Sequence, residues 1–188
     1  MQIIRFAELK AKPWRNGGGT TREILSGPAD QADGWGWRVS LADVTKAGDF
    51  SEFPGCERVL TVVEGELLLL SVDGSERPVE KYRPFRFDGG AATTATLPTG
   101  DIRNLNVITK SDAFKGYASV IEISKKRAHP VFAGQVAVLL QGQATAGDGA
   151  GGSADLGRYD AVVGSDDATP EVTGRGFLAV VSIDPAAD

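Results

Sequence analysis

Histidine and cysteine are almost missing from this sequence: 188 residues contain one of each. The single Cys56 rules out an intrachain disulfide and any site built from several thiolates. His129, between the cations of "KKRA" and Pro130, has no second imidazole with which to complete a three-histidine zinc site or a facial triad. Nucleophilic triads lack their usual base for the same reason. Cys56, after "FPG", reads as a small filler residue, with a thiol in a tight turn as the alternative. No metal and no cofactor is therefore expected. Acid/base chemistry carried by carboxylates alone stays open, with Glu23 and Asp88 as candidates, although nothing in their spacing pairs them across a site.

Long apolar runs are missing too. None approaches the ~20 residues of a membrane-spanning helix, and "MQIIRFAELK" lacks the apolar centre of a signal peptide. Together with the lone cysteine, these absences lead to the expectation of a soluble cytoplasmic protein. Positive charge is in deficit, 20 Lys plus Arg against 25 Asp plus Glu. The net charge of −5 sets the field of the whole molecule against nucleic acid and anionic membrane, so neither is expected as a partner. The basic run "KKRAHP" (125–130) reads as a solvated loop.

The chain also lacks room for long helices. Its 24 glycines and 9 prolines interrupt it so often that the longest stretch free of both is Asp101–Lys115. What lies between the interruptions is β-rich: "WRVSLA" (37–42), "RVLTVV" (58–63), "LLLLSV" (67–72), "SVIEIS" (119–124), "QVAVLL" (135–140) and "FLAVVSI" (177–183). This spacing predicts an all-β barrel or sandwich. A tight turn is expected at Glu64-Gly65, and Asp73-Gly74 carries a strong hairpin signal. "GQATAGDGAGGSADLG" (142–157) reads as a low-complexity loop that anchors little core. In "WRVSLA", alternation puts Trp37, Val39 and Leu41 on one face and Arg38, Ser40 and Ala42 on the other. Such a polar face ordinarily meets solvent; in a closed barrel with a ligand cavity it lines the interior instead.

Three consecutive glycines, in "PWRNGGGTTREI" (13–24), are costly to order. They do not form a phosphate loop, because no lysine follows Gly19, and they do not match a dinucleotide fingerprint, because Arg22 stands where the third glycine belongs. A flexible surface turn is one reading. A close backbone path beside a pocket is the other. Around these glycines, the cationic and amide residues next to β segments are Arg15, Asn16, Arg22, Arg38, Arg58, Asn104 and Asn106. Guanidinium forks and amides are the groups that a pocket for a small carboxylate uses.

"PWRNGGGTTREI", "WRVSLADVTKAGDFSEFPGCERVLTVVEGELLLL" (37–70) and "FRFDGGAATTATLPTGDIRNLNVI" (85–108) resemble, in that order, the HutD/Ves family of small bacterial bicupins. The resemblance implies an all-β bicupin: two double-stranded β-helix (jelly-roll) barrels of the cupin type without metal ligands. The first would lie mainly in 1–115 and the second mainly in 116–188, with the Gly-rich loop at 142–157. It also implies binding of a small pathway acid, urocanate or formylglutamate, in a regulatory role in histidine utilisation, other members being linked to cold or stress responses. An isomerase or lyase acting on a small acid through a carboxylate base is the alternative, and a pure protein-interaction module with a filled barrel is a third reading. A homodimer is left open. Carried over by motif, the ligand-binding residues are Trp14, Arg15, Asn16, Gly17, Gly18, Gly19, Arg38, Ser40, Arg58, Asp88, Asn104 and Asn106. Asn104 departs from the family pattern, which more often has aspartate there.

Overall fold

The computed structural model describes residues 1–187 and is all-β, the one helical element among them being a 3₁₀ turn at Phe6–Glu8. No helix of the described residues is long and apolar enough to cross a membrane. The chain divides into two compact units. One comprises residues 10–117 with the C-terminal residues from 184; the other comprises 1–9 with 118–183. Residues 1–9 thus go with the C-terminal unit and not with the first barrel. The strand Gln2–Ile4 pairs with Ala161–Val163, and Asp160 fixes the turn that follows. Its carboxylate accepts hydrogen bonds from Arg5 Nη1 at 2.7 Å and from the Phe6 N–H at 2.9 Å.

In the unit built on 10–117, a six-stranded antiparallel sheet runs in the spatial order Lys12–Pro13, Gly19–Gly27, Trp37–Val44, Ile102–Lys110, Cys56–Glu64, Phe85–Asp88. A four-stranded sheet has the order Gly48–Asp49, Thr93–Thr96, Leu67–Val72, Ser75–Glu80. The strands Cys56–Glu64 and Leu67–Val72 belong to different sheets, so the turn at Gly65 carries the chain from one to the other. Gly65 has φ +85°, and a Cβ there would come 2.7 Å from Ile102 Cγ2, so only glycine passes this corner. Asp73-Gly74 makes the two-residue hairpin, with both residues at positive φ and Val72 opposite Ser75. One apolar core joins the sheets: Val44, Leu60, Val62 and Ile102 meet Leu68, Leu70, Val79 and Ala95.

The other unit is a seven-stranded sheet whose longest members are Gln135–Gly147 and Glu171–Pro185. Here the expected loop at 142–157 is corrected. Residues 142–147 continue a strand, Ser153–Leu156 is a second strand antiparallel to it, and only 148–152 turn between them. Small residues allow this, because Ala144, Ala146 and Leu156 are buried among Leu139, Val172 and Leu178. Residues this small form core without the apolar bulk that marks one in a sequence. The turn itself is closed by Asp148, whose carboxylate accepts the N–H groups of Ala150 and Gly152.

Candidate small-anion site

Period-two alternation along three adjacent strands of the six-stranded sheet sets the inner wall of the first unit. From the apolar core outward, Val44 is followed on the same face by Ala42, Ser40 and Arg38; Ile102 by Asn104, Asn106 and Ile108; and Val62 by Leu60 and Arg58. Strand register then fixes the rows. Asn106 lies between Ser40 and Leu60, and Ile108 lies between Arg38 and Arg58. Glu23 stands beside Ser40 and Thr21 beside Ala42. Where the rows turn polar, a cavity of about 570 Å³ opens. The polar face of "WRVSLA" is therefore interior: Ser40 is 4% exposed, and Val39 and Leu41 on the opposite face are buried as well.

Arg58 dominates the cavity wall. It is 6% exposed, and its guanidinium centre lies 5.1 Å from the Phe87 ring and 5.5 Å from those of Phe50 and Phe53. Its Nη2 donates to Asn106 Oδ1 at 3.1 Å and its Nη1 to the Ser51 carbonyl at 3.3 Å. Its Nε has no partner. Burial and then the neighbouring charge of Arg38 pull the Arg58 pKa down to about 10, with no carboxylate contributing against them. Arg38 is better compensated. It lies over the Trp35 ring at 5.0 Å, and its Nε, also buried without a hydrogen-bond partner, has the Glu23 carboxylate at 3.7 Å to balance its charge.

The amides form a chain with one polarity. A guanidinium only donates, so Asn106 must turn its oxygen to Arg58 and its nitrogen away. That nitrogen donates to Asn104 Oδ1, which leaves Asn104 Nδ2 buried and without a partner. Asn104 itself is 1% exposed.

The Asn-Gly-Gly-Gly segment is a tight hairpin linking Lys12–Pro13 to Gly19–Gly27. Gly17 takes φ +67°, and a Cβ on Gly19 would overlap the carbonyl oxygen of Asp43 and press on the Trp14 indole. Asn16 Oδ1 accepts the Gly18 N–H at 2.9 Å, and the Gly17 N–H bonds to the Trp14 carbonyl at 3.1 Å. The turn holds Trp14 edge-on to Phe50, with its Nε1 donating to Thr21 Oγ1 at 2.8 Å.

Of the residues singled out from sequence, Trp14, Arg15, Asn16, Arg38, Ser40, Arg58, Asn104 and Asn106 line this one cavity. Gly17, Gly18 and Gly19 do not. The N–H groups of Gly17 and Gly18 are spent inside the turn, so these glycines shape the wall without presenting donors to it. Asp88 also stands elsewhere. Alternation points Phe87 inward and leaves Asp88 exposed, where it accepts the Gly90 N–H and closes a turn. The ligand-binding set leaves out Thr21 and Ile108, and also Phe50 and Phe53 of the matching "DFSEFPG" stretch, all of which line the wall. Thr21 and Glu23 alternate from Gly19 and Ile108 alternates from Asn106, so a period-two count could have found them once one inward residue was known. Among the described residues no three His, Cys, Asp or Glu side chains stand close enough to hold a metal ion. His129 lies in the other unit, half-buried, with burial pushing its pKa down.

A family model described as HutD matches residues 6–180. An uncharacterized protein of the hutC 3' region of Pseudomonas putida is 39% identical over 109 residues, 57% of each chain. The protein Ves of Citrobacter koseri is 36% identical over 124 residues, 65% of this chain and 64% of that one. The chain thus matches less than two thirds of the length of either relative. Over its whole length it is similar to the solved structure of HutD from Pseudomonas fluorescens SBW25, obtained in a formate condition. The TM-score is 0.81 and the identity 29%, with 99% of both chains covered. A cupin barrel protein from Leptotrichia buccalis, 10% identical with a TM-score of 0.64 over 97% of this chain and 96% of its own, shows that the fold is of the cupin type.

Proposed function

This chain belongs to the HutD family, and from that premise we propose that the cavity of its first unit binds a small carboxylic acid of the urocanate or formylglutamate class and that the protein thereby modulates histidine catabolism. Arg58 carries this reading. A guanidinium 6% exposed, with an unpartnered Nε and no balancing carboxylate, is an expensive group to keep in a cavity wall unless an anion completes it. Phe50, Phe53 and Phe87 exclude water around it, which strengthens a charge-assisted bond to a carboxylate. The placement in histidine utilisation rests on the family and on the relative of the hutC 3' region. A barrel filled by side chains, which the interaction-module reading requires, is not favoured by a cavity of about 570 Å³.

The test is calorimetry and thermal shift with urocanate and formylglutamate, each against its uncharged amide. A ligand that binds only the folded state at a hundred times its Kd adds about 2.7 kcal/mol of apparent stability. The acids should bind and the amides should not, and Arg58→Met should weaken acid binding by about 1.5–3 kcal/mol. Equal binding of acids and amides, or an undisturbed Arg58→Met variant, removes the carboxylate from the site.

Glu23 supports a second reading. Its carboxylate lines the same wall as Arg58, so an isomerase or lyase could use it to take a proton from the carbon beside a held carboxylate. Proton NMR in deuterated water separates the two. Deuterium entering the bound acid, and lost in Glu23→Gln, marks catalysis; a ligand that keeps its protons marks binding alone.

A further inference from the structure

The cavity floor offers hydrogen-bond donors and no free anionic acceptor, and we propose that it therefore selects acids whose α-nitrogen is acylated or absent and rejects α-amino acids, with Asn104 as the residue that sets this preference. The inference rests on the carboxylate reading of the same site.

The polarity of the floor follows from Arg58. Because a guanidinium has no acceptor, Asn106 gives it Oδ1, passes Nδ2 to Asn104 Oδ1, and Asn104 is left with Nδ2 as its unused group. The buried polar ends of this row are thus one unused donor and two neutral amide oxygens that each already accept a hydrogen bond, and none is an anion. The Ser51 carbonyl, a neutral backbone acceptor of the wall, already accepts from Arg58 Nη1. Ser40 adds a neutral hydroxyl that can turn either way. The two carboxylates of the wall lie at exposed positions and are engaged. Glu23 accepts Ser26 Oγ at 2.9 Å and faces Arg38, and Asp49 accepts Thr94 Oγ1 at 2.9 Å.

A bound α-ammonium would meet Arg58 and Arg38 as like charges and would leave water for a floor with no anion to receive it. A formyl or other acyl group on the same nitrogen removes the charge and supplies a carbonyl acceptor suited to Asn104 Nδ2. An aspartate at position 104 would keep the oxygen that Asn106 needs and put a second, anionic oxygen where Nδ2 now stands. The asparagine of this chain is therefore the difference between a floor that repels an ammonium and one that receives it.

Calorimetry with three acids of one skeleton tests the proposal: glutarate, N-formyl-L-glutamate and L-glutamate. Glutarate and N-formyl-L-glutamate should bind, and L-glutamate should bind about tenfold or more weakly, the size expected for a buried charge or donor left unpaired. Asn104→Asp should narrow or invert that ratio, its unliganded melting temperature reporting whether it folds. Equal affinity of the parent for glutarate and L-glutamate overturns the proposal while leaving the carboxylate reading in place. A folded Asn104→Asp variant with the parental ratio removes Asn104 from the selection. Failure of all three acids while urocanate binds overturns this inference alone, and failure of urocanate as well overturns the carboxylate reading with it.

Discussion

At the residue scale, the site and the stability of the molecule pull against each other at Arg58. Its cation is 6% exposed, repelled by Arg38 and only partly hydrogen-bonded, so methionine, an apolar side chain of similar length, relieves a desolvation penalty in the unliganded protein. Arg58→Met should therefore melt at the same temperature as the parent or higher without ligand, while losing the stabilisation that acids confer. A clear fall in the unliganded melting temperature would make Arg58 a structural residue first. Gly17 and Gly19 are needed for different reasons. Gly19→Ala forces a Cβ into the Asp43 carbonyl and should cost about 1–3 kcal/mol. Gly17→Ala meets open space and bears only the penalty of φ +67°, about 1 kcal/mol. Urea denaturation that ranks the two the other way contradicts the hairpin geometry described.

At the element scale, the strands were legible and their partners were not. "LLLLSV" is the strand Leu67–Val72, four of the other five β-rich runs lie within observed strands and "SVIEIS" runs one residue past the end of Phe114–Ile123, because branched and aliphatic residues between glycines leave the chain little other choice. Asp73-Gly74 was legible for the same local reason. Register is a long-range property, however, and it decides that Arg58 reaches Asn106 and not another neighbour. The site was therefore legible as residue types and not as a wall, which is how Asp88 came to be included and Phe53 left out. The strand at 142–147 shows the opposite failure: its residues are too small to announce a core, yet Ala146 is fully buried. Ala146→Leu should overpack that core and cost about 1–3 kcal/mol, measured by urea denaturation. A mobile loop would absorb the change with no effect.

At the scale of the whole molecule, pH links the two units' separate anchors to stability. In the first unit, burial alone would raise the pKa of Asp43, but hydrogen bonds and charges from Arg103 and Arg22 outweigh it and hold the carboxyl below the ordinary 3.8. In the second, burial likewise works upward on Asp160 and is outweighed by Arg5 and by the N–H groups of Phe6 and Gly157. Both groups bind protons less readily folded than unfolded, so their stabilisation is complete above pH 3.8 and is lost as pH falls through that value toward their folded pKa. His129 acts in the same direction at higher pH. Burial lowers its pKa from 6.5, so the unfolded chain takes up a proton first, and stability declines as pH falls below 6.5. Unfolding free energy measured from pH 8 to 3 should accordingly fall in two stages, a shallow one from a single histidine and a steeper one from the aspartates. His129→Gln should flatten the first stage only. Asp160→Asn should lower stability at neutral pH, where the Arg5 and Phe6 anchor of the N-terminal segment is lost, and should reduce the acid slope. If stability is level from pH 8 to 5 in the parent and in His129→Gln alike, the imidazole is as solvated folded as unfolded, contrary to its position in the structure.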